Sequence, residues 1–288
     1  MSQSLSPRLS RRTVLVGGLG SAIAMTLAAC GSSSKGGVDG LTVEGDVATI
    51  SIGASPVPHV TILNWVQENL AADAGISLDI VELNDYQTPN ISLNDGSLAA
   101  NFFQTPNYLA QQIDEFGYEF TAIADVHIEP MGLYTAKGYT SADEIPEGGT
   151  VILNDDPANT ARGLKLLAAG GLIELDESVE LPTDKDITSN PKNLSFPTVD
   201  AAQVYNSMAD AEAAVINGNY ALDHGLNPNE DALLLEESGE SPYANQLVVR
   251  TADKDNEHLV TLAGLLNSEE LRTFIEQEWT NGAVLPAF

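Results

Sequence analysis

Short apolar runs alternate along this chain with longer segments of helical periodicity. Residues 48–53 read Ala-Thr-Ile-Ser-Ile-Gly, a period-two pattern that predicts a strand. Pro56 and Pro58 then lead into a helix over 60–74, where Ile62, Trp65, Val66 and Leu70 share a face and Gly75 supplies the stop. Strands follow at 77–83, 99–103, 120–124 and 131–134, with an amphipathic helix over 107–116. The pattern resumes with a strand at 150–153 and a helix over 158–169 that ends at Gly170-Gly171. A strand at 196–199 precedes a helix over 201–208 capped by Asp200. Buried strands at 213–216 and 247–250 lead to two closing helices, 257–266 and 269–279, the second with Ser268 as N-cap. This alternation predicts an α/β fold with mostly parallel sheets. Two sets of such units, meeting near residue 128, predict two lobes.

The N-terminus follows a different logic. Arg8, Arg11 and Arg12 precede an apolar stretch from Val14 to Ala29 that contains Gly17, Gly18 and Gly20. It is shorter than the roughly 20 apolar residues a membrane span needs, and has the anatomy of an export signal. Ser10-Arg11-Arg12-Thr13-Val14-Leu15 also resembles a twin-arginine signal. The stretch closes on Leu27-Ala28-Ala29-Cys30, which holds the chain's single cysteine. Small residues before a cysteine resemble a bacterial lipoprotein box. In that reading residues 1–29 are removed and Cys30 carries a diacylglyceryl thioether and an N-acyl chain such as palmitate. More than one lipid chain gives stable attachment. Gly31-Ser32-Ser33-Ser34-Lys35-Gly36-Gly37 then begins a flexible tether over 30–46.

Charge narrows the function classes. The formal net charge is −29, and losing three arginines with no acid from 1–29 makes it more negative still. Such a chain does not bind nucleic acid by neutralising phosphates. His59, His127, His224 and His258 lack the close spacing of zinc motifs, and no nucleophile elbow, phosphate loop or dinucleotide fingerprint occurs. No catalytic residue, metal or cofactor is therefore expected. With 41 acidic residues, a chance carboxylate pair carries no information about catalysis.

Three polar, aromatic-bearing segments lie beyond the ends of predicted strands, where α/β folds bind ligands. They are 84–90 with 101–104, 154–162, and 214–220. Arg162 stands out because it is placed in the first turn of a helix, where the dipole disfavours a cation. A ligand carboxylate would reverse that penalty; an internal salt bridge is the alternative. Asn217 and Asn219 are read either as ligand contacts or as turn chemistry around Gly218. Tyr86, Phe102 and Phe103 fit either core packing or a pocket wall.

These segments resemble the NlpA-type family of methionine-binding lipoproteins, substrate receptors of a methionine ABC importer. The blocks are 53–59 (GASPVPH), Asp85-Tyr86 with Pro89-Asn90, 101–104 (NFFQ), 127–134 (HIEPMGLY), 154–162, 190–194 (NPKNL), 213–222, 241–245 (SPYAN) and 286–288 (PAF). The resemblance implies a two-lobed periplasmic-binding-protein fold, type II-like, with the ligand between lobes. One lobe would comprise 47–128 plus about 251–288, the other about 129–250. It also implies that Arg162 grips the ligand carboxylate, with Asn159 beside it, while Asn217 and Asn219 hold amino and carboxylate groups. Tyr86, Phe103 and Tyr108 would enclose an apolar side chain, and an aromatic wall suits a thioether. The family usually has a histidine after the Phe-Phe-Gln run; here that cleft position is Thr105, followed by Pro106-Asn107.

The expected protein is a monomeric, lipid-anchored receptor on the outer side of the cell membrane. It captures L-methionine or a close analogue and delivers it to an ABC importer permease. Another apolar amino acid, a methionine-containing dipeptide, or a non-transport adhesin or scaffold role are the alternatives.

Overall fold

A computed structural model describes residues 37–237 and 242–288. The signal segment, Cys30 and the start of the tether lie outside the described residues.

The first strands among the described residues form an antiparallel hairpin of β1 (Leu41–Glu44) and β2 (Val47–Ala54). The expected tether therefore ends in a strand rather than running loose to residue 46. Ala48, Ile50, Ile52 and Ala54 alternate inward with no exposed surface, as the period-two pattern requires. A helical turn over Pro56–Val60 continues into α1 (Thr61–Val66), after which β3 (Ile76–Glu82) pairs parallel to β2. Next come α2 (Thr88–Asn94), β4 (Ala100–Gln104), α3 (Pro106–Phe116) and β5 (Phe120–Ile128).

At Ile128 the chain leaves this sheet for a second one, through β6 (Gly132–Tyr134), β7 (Val151–Asn154) and α4 (Pro157–Ala169). A small separate hairpin, β8 (Glu174–Leu175) and β9 (Ile187–Ser189), follows. β10 (Thr198–Val199), α5 (Val204–Ser207), β11 (Ala213–Ile216), α6 (Gly218–Asp223), α7 (Pro228–Asp231) and β12 (Leu234–Leu235) complete the second lobe. The chain then returns through β13 (Ala244–Arg250), α8 (Glu257–Leu266), α9 (Glu269–Glu278) and β14 (Leu285–Pro286).

The first sheet runs β1-β2-β4-β13-β5-β14 with β3 also on β2; the second runs β10-β7-β11-β6-β12. Neither is mostly parallel. β13 is antiparallel to both β4 and β5, and β6 is antiparallel to both β11 and β12. Strand–helix alternation fixes the class, but it does not show that a strand arriving from the other lobe enters in the opposite sense. For the same reason the second lobe ends before 250: β13 is the centre of the first sheet, not the last strand of the second.

Both sheets are buried on two faces by alternate residues. In the first, Phe102, Leu247 and Val249 pack with α1, α8 and α9, while Val248 joins Leu93 and Leu109 of α2 and α3. In the second, Leu133, Leu153 and Val215 face α4, while Tyr134, Ile152 and Ile216 face Val204, Met208 and Tyr220. These cores give two lobes, and the chain passes from one to the other after β5 and back before β13.

Candidate functional site

The cleft between the lobes is lined by Tyr86, Phe103, Gln104, Thr105 and Tyr108 of the first lobe. From the crossing segments and the second lobe come Glu129, Asn159, Arg162, Asn217, Gly218, Asn219 and Asn245. All eight residues singled out from the sequence are among these twelve.

The aromatic wall follows from strand alternation. Phe102 and Phe103 are neighbours on β4, so they point to opposite faces. Phe102 goes into the core, and Phe103 joins Tyr108 and Ala158 beside Tyr86. The Tyr86 ring lies 5.9 Å from Phe103, 5.7 Å from Tyr108 and 5.1 Å from Tyr220. The Tyr108 hydroxyl donates to the Tyr86 carbonyl at 3.0 Å, and the Tyr86 hydroxyl donates to Asn219 Oδ1 at 2.6 Å. The second bond crosses the cleft, as does Tyr220 hydroxyl to the Asn84 carbonyl at 3.1 Å. Burial holds the Tyr86 and Tyr108 phenols protonated, well above their ordinary range. Behind Phe103, the buried amides of Asn90, Asn101 and Gln104 satisfy one another. Thr105 occupies the N-cap position of α3, with its side chain making no cap bond.

The polar wall is built on the N-termini of α4 and α6. Asp156 caps α4, accepting from the Asn159 backbone N–H at 2.8 Å and from its side chain. Asn159 Oδ1 then accepts from Asn217 Nδ2 at 2.9 Å, and Asn217 Oδ1 from Asn154 Nδ2 at 2.5 Å. Arg162 sits in the second turn of α4, because the helix starts at Pro157. The dipole argument for its site is therefore weaker than expected. What holds it is direct: Nε and Nη2 pair with Glu236 at 3.0 and 2.5 Å, and Nη2 donates to the Glu129 carbonyl at 3.0 Å. Its guanidinium also lies 4.1 Å over the Tyr243 ring. Burial opposes the charge, but Glu236 more than compensates and holds the guanidinium above its ordinary range. The internal salt bridge and the cleft position are thus both present.

A buried cluster stands at the floor. His127 Nε2 lies 2.6 Å from Glu129 Oε1, His59 Nε2 is 3.0 Å from Asn245 Oδ1 and 3.5 Å from Glu129 Oε1, and Asn245 Nδ2 is 3.4 Å from the same oxygen. Burial lowers His127 to about 3; it lowers His59 to about 4 even with Glu129 alongside, so both rings are neutral near pH 7. Burial raises Glu129, with His59, Arg162 and the Asn219 backbone N–H partly offsetting it. Among the described residues this is the one group of three donors close enough to hold a metal ion, within 4.8 Å of one another.

The family profile described as NlpA lipoprotein matches residues 50–288. The chain belongs to the NlpA lipoprotein family. The methionine-binding lipoprotein MetQ of Bacillus subtilis is 36% identical over 281 residues, covering 96% of this chain and 98% of that protein. A nutrient-binding protein from Burkholderia cenocepacia, solved bound to methionine, is 35% identical with a TM-score of 0.79, covering 83% of this chain and 100% of that one. An ABC transporter periplasmic substrate-binding protein from Coxiella burnetii is 36% identical with a TM-score of 0.77, at 83% and 100% coverage. These names describe capture and transport.

In this NlpA-family chain, sequence reasoning missed Gln104, Glu129, Gly218 and Asn245 as cleft residues. His59, Glu129 and Asn245 fall in three of the family-like blocks, but they are far apart along the chain. Only the meeting of the Pro56–Val60 turn, the end of β5 and the start of β13 makes them one cluster. Asn245 reaches it where register shifts interrupt β13; bulges commonly re-aim side chains beside a site.

Proposed function

We propose that this protein is a lipid-anchored, extracytoplasmic receptor that closes its lobes on methionine or a close analogue and delivers it to an ABC importer. The observation that carries the reading is the division of the cleft. Arg162, Asn217 and Asn219 come from one lobe, and Tyr86, Phe103 and Tyr108 from the other, so one zwitterion with an apolar tail engages both only when they meet. Ligand contacts made on both sides stabilise the closed arrangement and no other. In this reading Arg162 takes the carboxylate, Asn159, Asn217 and Asn219 order the polar end, and the aromatic wall takes the thioether.

Attachment would come from acylated Cys30. Among the described residues no helix is long and apolar enough to cross a membrane. Thr105, in place of the histidine usual at this cleft position, favours a second reading in which a different apolar amino acid or a methionine derivative is preferred.

A thermal-shift panel of the twenty amino acids and methionine derivatives tests this. A true ligand at 100 times its dissociation constant adds about 2.7 kcal/mol. No stabilisation by any of them would sink the receptor reading and favour a scaffold role.

A further inference from the structure

We propose that Asn227, Asn229 and Asn281 form an amide clasp, outside the ligand cleft, that sets how much of the empty receptor is already closed and thereby sets its affinity. This rests on the receptor reading above. Asn227 caps α7 in the second lobe with Asn229 in its first turn, and Asn281 lies between α9 and β14 in the first lobe. Asn281 Nδ2 donates to Asn227 Oδ1 at 3.1 Å, and Asn229 Nδ2 donates to the Asn281 backbone carbonyl. None of the three lines the cleft. Each half is fixed by its own lobe. Leu226 and Ala232, on the two flanks of α7, pack against the Tyr134 and Tyr220 core of the second lobe, while Val284 belongs to the core of the first. The Asn227 N–H donates to Asp231 Oδ2 at 2.7 Å, and Asn281 Oδ1 accepts from the Ala283 N–H at 3.2 Å. With both halves already ordered, joining them loses little conformational freedom.

Chemistry suits the clasp to this chain. Acids far outnumber bases in both lobes, so the lobes repel each other as they approach. Bonds between neutral amides neither titrate nor weaken with salt, whereas an exposed ion pair is screened. The clasp also differs from the ties inside the cleft, Tyr86 to Asn219 and Tyr220 to Asn84, which stand among the ligand contacts. Apparent affinity is the affinity of the binding-competent form scaled by its population. A tie that touches no ligand changes only that population. Its loss therefore weakens every ligand by the same factor and leaves the choice among ligands, made in the cleft, unaltered.

The test uses the full-length protein in detergent. Titration calorimetry with L-methionine and L-norleucine reads affinity, and pulsed electron paramagnetic resonance reads the lobe distance between labels at Asp114→Cys on α3 and Glu174→Cys on β8, both exposed. Asn281→Asp keeps the acceptor for Ala283 and removes the donor to Asn227; Asn229→Ala, at an exposed position, removes the other donor. Each is expected to weaken both ligands by about three- to fivefold, the scale of one net hydrogen bond, with their ratio constant within about 1.5-fold. Without ligand the lobe distances should lengthen, and saturating methionine should restore the wild-type distribution. Affinities within about 1.5-fold of wild type in both variants would overturn the proposal. So would unchanged distances in the empty variants, or a methionine-to-norleucine ratio altered more than about threefold, which would place the effect on the ligand contacts. Wild-type binding with no change in lobe distance would overturn it too while leaving the ligand assignment intact. Failure of the wild-type protein to bind methionine at all would instead remove the functional reading beneath it.

Discussion

Arg162 and Glu236 form a two-point ion pair, Nε to Oε1 at 3.0 Å and Nη2 to Oε2 at 2.5 Å. Glu236 follows β12 on the chain's way back to the first lobe. The same guanidinium bonds the Glu129 carbonyl, so one side chain of α4 fastens both crossing segments beside the cleft. Arg162→Lys removes the fork that makes this possible, because an ammonium is a point donor. Methionine affinity is expected to fall by about 30-fold, with a lower melting temperature. Calorimetry showing a loss under about twofold would rule out Arg162 as the carboxylate clamp.

The Tyr86 hydroxyl bond to Asn219 is a direct tie across the cleft. Tyr86→Phe keeps the ring packing and deletes that bond, at a cost of about 1 kcal/mol. Affinity is expected to drop roughly fivefold, mainly through faster release. Stopped-flow kinetics separates this from a slower association, which would instead mean that the hydroxyl acts in the open form.

Gly218 starts α6 directly against the crossing segment. A Cβ there would lie 2.5 Å from Glu129 Cβ and 3.2 Å from the Pro130 carbonyl. Gly218→Ala is therefore expected to cost about 1–3 kcal/mol by overpacking and to weaken binding. Gly264, within α8, has nothing within 4 Å of its virtual Cβ, and Gly264→Ala should stabilise by about 0.4–1 kcal/mol. Urea unfolding of the two variants checks the contrast, and equal effects would contradict it.

His59 and His127 have folded-state values depressed from 6.5 to about 4 and about 3. A depressed value means the unfolded chain takes up protons first as pH falls. Their stabilising contribution is thus complete above pH 6.5 and declines between about 6.5 and 4. The slope is roughly 1 kcal/mol per pH unit for each ring. Melting temperatures between pH 7 and 4.5 should fall, and His127→Gln should flatten that fall. An identical slope in the variant would place the titration elsewhere.

Cys30→Ala should leave methionine binding by the purified protein unchanged while moving the protein from the membrane to the soluble fraction. Cell fractionation with an uptake assay reads both, and retention at the membrane would refute the lipid anchor.

Most elements are local properties of the sequence. Helices 257–266 and 269–278 sit where periodicity and the Ser268 cap put them. The strands at 213–216 and 132–134 are likewise close to their apolar runs. α2 and α6 were not legible, because they begin inside polar segments whose residues also suit turns. Six of the eight expected ligand residues were readable as amides, aromatics and one arginine beyond strand ends; Thr105 and Tyr108 came only through the family likeness.

What the sequence by itself determined was the α/β class, the two lobes and most of the side chains that face the cleft. These depend on local periodicity, capping and motif. Strand direction, the return of β13 to the centre of the first sheet and the joining of His59, His127, Glu129 and Asn245 were decided only by tertiary structure. Pairing energy depends on which strands meet, and a buried charge depends on which neighbours surround it, and neither is a property of any one segment.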